Sequence, residues 1–141
     1  MDNIKYLREP NKNIPATGEG FELIELGKLI KFPVIDRIIV CNNGMVVEEL
    51  SEDIELVQSS ALDGCSPKDF FVLRVSDDSM YPQLCVGNRA LVQRCKSVDI
   101  GKIAVVLRDI GAATFKRITE DSDLEQCRIL GKAIQVAVDI N

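Results

Sequence analysis

FFVLRVSDDSMYP, residues 70–82, is the stretch on which the reading of the fold turns. Residues 70–75 are aromatic, aliphatic and β-branched apart from Arg74, a strong strand signal. The signal stops at Ser76-Asp77-Asp78-Ser79, four small or polar residues that suit a turn or a helix N-terminus. Downstream, residues 89–94 alternate as a strand should. Residues 102–107 read as a buried strand. The turn Asp109-Ile110-Gly111 leads to a further strand over 112–118. Residues 121–125 form a charged loop, and 128–140 a final long strand or strand pair interrupted by Gly131. Upstream, PVIDRIIV (33–40) is β-branched and opened by Pro33. Asn42-Asn43-Gly44 is a turn signal, since Asn-Gly is among the best short-range turn dipeptides. MVVEEL and the acidic SEDIELVQSS follow. Residues 21–31 are amphipathic, with helix and strand both open. Residues 1–20 begin with one helical turn over 4–7 and then read as an arm or linker. Short strands separated by turns predict a mainly β fold.

Composition narrows the function. The chain has 141 residues, one domain by length, with 46% apolar and 28% charged residues and a net charge of −5. Its 17 basic residues form no run, which argues against DNA binding by this chain alone. There is no His, so Ser-His-Asp, Cys-His and His-metal chemistry are excluded. Cys41, Cys65, Cys85, Cys95 and Cys127 are odd in number and contain no CxxC pair. They read as reduced thiols in a cytoplasmic protein, and the polar start does not read as a secretory leader. No apolar stretch approaches membrane-spanning length. No cofactor or metal is expected.

Without His, a serine nucleophile needs another base. An ordinary Lys amine titrates near about 10.4, so Lys serves only where apolar burial disfavours the ammonium form. Lys116 lies in a strand between Phe115 and Ile118 and shares a face with Thr114 and Ile118 by period-2 alternation. Read locally, it is equally an ordinary edge-strand lysine. Ser79 stands at a strand-to-turn junction, which projects a hydroxyl and aims neighbouring backbone N–H groups, around Asp78 and Met80, at a substrate carbonyl. Read locally, it is equally a helix N-cap.

The two sites together narrow these alternatives. VSDDSMYPQLCVGNRALVQ resembles the Gly-Asp-Ser-Met-x-Pro signature of LexA-like Ser/Lys peptidases, and ATFKRI resembles their second signature, 37 residues on from Ser79 to Lys116. The resemblance spans about residues 32–140. It implies a LexA C-terminal peptidase fold of short, strongly bent strands over 32–141, preceded by an arm or linker over 1–31. It further implies a dyad in which Ser79 attacks and Lys116 takes its proton. Three positions depart from the family pattern: Asp77 for Gly, Asn88 for Asp, and Lys102 for Asp. A carboxylate at residue 77 would favour charged Lys116, so an active dyad requires Asp77 to point away.

Relatives cut their own linker before a glycine, and Gly44 stands 35 residues ahead of Ser79. The implied scissile bond is Asn43-Gly44. Alignment on Phe32-Pro33 places it at Cys41-Asn42 instead, and the same residues also read as a hairpin turn that is never cut. The layout is most similar to UmuD. That implies a role in the SOS response, cleavage stimulated by a RecA filament, support of an error-prone polymerase, and a homodimer through the C-terminal segment. The alternatives are a phage-repressor-like regulator without its helix-turn-helix, and a catalytically idle dimerisation module.

Overall fold

The structure, a computed structural model, describes residues 22–24, 28–121 and 127–138. The expectations for residues 1–20 lie outside the described residues. Nine strands form one mixed sheet among the described residues: β1 (Glu22–Ile24), β2 (Leu29–Val40), β3 (Val46–Gln58), β4 (Phe70–Arg74), β5 (Arg89–Arg94), β6 (Ile103–Arg108), β7 (Gly111–Ala112), β8 (Thr114–Arg117) and β9 (Cys127–Ala137). Short 3-10 turns at Ser59–Leu62 and Pro67–Asp69 join β3 to β4. The sheet runs β1-β2-β4-β5-β9-β6-β8, with β3 and β7 also paired to β2. The mainly β expectation is met.

Alternation explains why β4 is central. Phe71, Leu73 and Val75 enter one buried cluster with Val92, Val105 and Phe115. Phe70 and Val72 enter another with Phe32, Val34 and Leu62. A strand buried on both faces is apolar at nearly every position. In β2 the inward set changes parity: Ile30, Phe32 and Val34 serve the second cluster, Ile35 and Ile38 the first. Register shifts between Pro33 and Ile35 and between Ile35 and Arg37 re-aim these side chains.

Residues 46–58 form the continuous strand β3, where Arg74 meets Asp53 at 2.6 Å and Arg89 meets Glu55 at 2.6 Å. Two sequence expectations are corrected. The strand expected over 112–118 is divided. Gly111 and Ala112 pair with Val40 and Ile39 of β2, and the chain then enters β8 against β6. Gly131 does not interrupt β9, which pairs with β5 on one side and β6 on the other there.

The β2–β3 hairpin closes through Asn42-Asn43-Gly44. Gly44 N–H donates to Cys41 O and Cys41 N–H to Met45 O, both at 2.8 Å. Gly44 has φ +82°, the left-handed residue that completes a three-residue hairpin loop. Among the described residues no helix is long and apolar enough to cross a membrane.

Candidate active site

Ser79 sits on the long loop between β4 and β5, and that loop is closed at its neck. Val75 N–H donates to Asn88 O at 2.8 Å, and Gly87 N–H donates to Val75 O at 2.9 Å. Asn88 Oδ1 accepts Cys85 N–H at 2.9 Å. Leu84, 1% exposed, plugs the loop into the core cluster, and Met80 packs against it. With Leu84 buried and Met80 half-buried, Ser79 is left exposed.

Beyond the neck, the loop is stitched to β8 at two points. Thr114 Oγ1 donates to Asp77 Oδ2 at 3.1 Å. Arg117 hydrogen-bonds Gln83 Oε1 and donates to Gly101 O. Thr114 and Arg117 flank Lys116 in the chain, so the Ser79 loop is moored to β8 at positions on either side of the expected base. Lys116 pairs with Ala104 in the ladder, and Thr114 with Val106. Paired residues project to the same face, which places Lys116 on the side of the apolar cluster Ala104, Val106 and Ile118. Lys116 is half-buried rather than largely buried.

The hydroxyl of Ser79 is not directed at Lys116. It donates to Asp77 Oδ1 at 2.7 Å, and Ser79 N–H donates to the same oxygen at 3.1 Å. An Asp carboxylate that accepts from the N–H two residues on is an Asx-turn, which Asp77-Asp78-Ser79 forms here. The Ser79 hydroxyl is the main reason the Asp77 carboxyl is held below its ordinary value of 3.8; the Ser79 N–H and Thr114 add to this, and burial opposes it. The expectation that Asp77 points away from the site is therefore corrected. The reason is local: an acceptor two residues before Ser79 meets both of its donors without any backbone rearrangement.

The other expected site residues are spread along this loop and the hairpin. Asp78 O accepts Tyr81 N–H at 3.1 Å, and Met80 O accepts Leu84 N–H at 3.0 Å, turning the chain just after Ser79. Met80 N–H has no hydrogen-bond partner among the described residues, so it is a free donor next to Ser79. Cys41, Asn42, Asn43 and Gly44 occupy the exposed hairpin tip. Gly44 lines a cleft of about 370 Å³ with Val40, Leu107, Arg108, Asp109 and Arg128. Neither Ser79 nor Lys116 is in that lining. No group of side chains suited to a metal ion occurs among the described residues. Sequence reasoning missed Thr114, Gln83 and Arg117 as site-builders. Only the Lys-Arg pair itself hinted that Arg117 belongs there.

Compared with known proteins, residues 33–134 match the family model described as Peptidase S24-like. No curated protein matches the chain.

Proposed function

The chain belongs to the Peptidase S24-like family, and from that premise we propose that it is a serine peptidase that cuts its own chain with Ser79 as nucleophile and Lys116 as base. The observation that carries the proposal is the double mooring of the Ser79 loop to β8 at Thr114 and Arg117, on both sides of Lys116. Thr114 and Lys116 are two strand residues, about 6.6 Å, apart on one face, a span an extended lysine side chain covers.

In the reaction, the Ser79 proton passes to Lys116 Nζ while Oγ bonds to the Asn43 carbonyl carbon. The oxyanion that forms faces the free Met80 N–H. The intermediate collapses as the Asn43–Gly44 bond breaks, and Lys116 returns the proton to the leaving Gly44 amine. Water then hydrolyses the ester on Ser79. For this to happen the hairpin tip must reach Ser79, either in the same molecule or in a second copy. Cutting at Cys41-Asn42 uses the same chemistry two residues earlier.

The intact mass of protein incubated over a pH series tests this. Fragments ending at Asn43 are expected, faster as pH rises, because neutral Lys116 is the active form. Ser79→Ala and Lys116→Ala are each expected to slow cutting about a thousandfold or more. Fragments that persist in Ser79→Ala point instead to spontaneous chemistry of the Asn43-Gly44 turn.

The proposed setting is UmuD-like: self-cleavage stimulated by a RecA filament, support of an error-prone polymerase, and a homodimer through β9. One observation favours a second reading, a catalytically idle dimerisation module: the Ser79 hydroxyl is donated to Asp77. The same mass measurements separate the two.

A further inference from the structure

The contact between Asp77 and Ser79 holds more than a hydroxyl. One carboxylate oxygen accepts both the hydroxyl and the backbone N–H of Ser79, at 2.7 and 3.1 Å. The other accepts Thr114 at 3.1 Å. Attack requires the Ser79 proton to move to an amine, and stabilising the oxyanion requires N–H groups near the nucleophile to be free. Asp77 engages the first and withholds one of the second. A carboxyl held below its ordinary range is also too weak a base to take the proton in place of Lys116.

We infer that Asp77 is a restraining residue: it holds the nucleophile in a resting state, and release of its contacts with Ser79 limits self-cleavage. The inference rests on the Ser/Lys reading above. Asp77 touches Ser79 and acts through it and through Thr114, so its role is positioning. Removing the carboxylate frees the hydroxyl and frees the Ser79 N–H, and both changes favour cutting.

The test compares the full chain with Asp77→Gly, Asp77→Asn and the double variant Asp77→Gly/Ser79→Ala, by intact mass over a pH series. Asp77→Gly is expected to cut about tenfold faster, the scale of one hydrogen bond. Asp77→Asn retains an acceptor oxygen without the charge and is expected to fall between Asp77→Gly and the parent. The double variant is expected to be silent. A loop loosened by loss of the Asx-turn alone would lower the melting temperature without raising the rate. Titration of the Asp77 carboxyl by NMR adds a readout independent of cutting: it is expected to rise in Ser79→Ala, and an unchanged value overturns the contact. If the parent cuts and neither Asp77 variant is faster, the restraint is overturned and the peptidase reading stands. If no form cuts at any pH, or the double variant cuts like Asp77→Gly, the peptidase reading falls and the restraint falls with it.

Discussion

Asn88 is 8% exposed and polar, and its hydrogen bonds close the loop that presents Ser79. Its backbone bonds Val75 and Cys85, and its Oδ1 accepts Cys85 N–H. A buried polar group persists where its partners are satisfied. Asn88→Ala leaves Cys85 N–H without its acceptor and is expected to cost about 1–3 kcal/mol. Asn88→Asp keeps an acceptor at that position and is expected to cost less. Urea unfolding with an unchanged slope checks both; equal losses would refute the role of the Asn88 side chain. At this scale Ser79 and Lys116 were legible because two short motifs name them. The part played by Asp77 was not, because whether a carboxylate faces or avoids a neighbour depends on loop geometry.

The strand β9 is paired along both of its edges. It lies between β5 and β6, and Gly131 is paired across both, to Arg94 and to Val105. A Cβ on Gly131 would stand 2.5 Å from Gln93 O and 2.6 Å from Val92 Cγ1. The first of these is backbone and has little room to yield. Gly131→Ala is therefore expected to destabilise by about 1–3 kcal/mol through overpacking, read as a lower urea midpoint; an unchanged midpoint would mean β9 does not cross β5 this closely. The sequence places a glycine inside an apolar alternation, and a glycine in a strand signals either a break or a close approach. Alternation along one strand cannot separate these, because the neighbour that forbids a side chain comes from 38 residues away, at Gln93. The acidic residues of β3 are likewise met from other strands, Asp53 by Arg74 and Glu55 by Arg89.

At the scale of the molecule, β7 draws the β6–β8 side of the sheet back to β2. Ala113 N–H donates to Ile38 O at 2.7 Å, extending that pairing. This closure gathers β2, β4, β5, β6 and β8 around one core. Among the described residues, the β6-facing edge of β9 is unpaired past Lys132. Beyond it, Ile134 and Val136 are each 36% exposed and Val138 59%. An open apolar edge of this kind is suited to pairing with a second copy. Sedimentation is expected to give a dimer at tens of micromolar, roughly the range of modest interfaces, and Val136→Lys is expected to shift it toward monomer. A monomer at that concentration would count against the dimer.

What the sequence by itself determined is the mainly β class, most strand positions, the turn at Asn42-Asn43-Gly44 and the two residues of the expected dyad. Those rest on local signals: period-2 alternation, turn residues and short motifs read along the chain. Tertiary structure alone decided that Thr114 and Arg117 moor the loop around Lys116, that Gly44 faces a cleft lined from β6 and β9, and that Asp77 turns toward Ser79 rather than away. Each of these depends on contacts between segments far apart in the chain, or on the shape of a closed loop, and neither leaves a periodic trace in the order of residues.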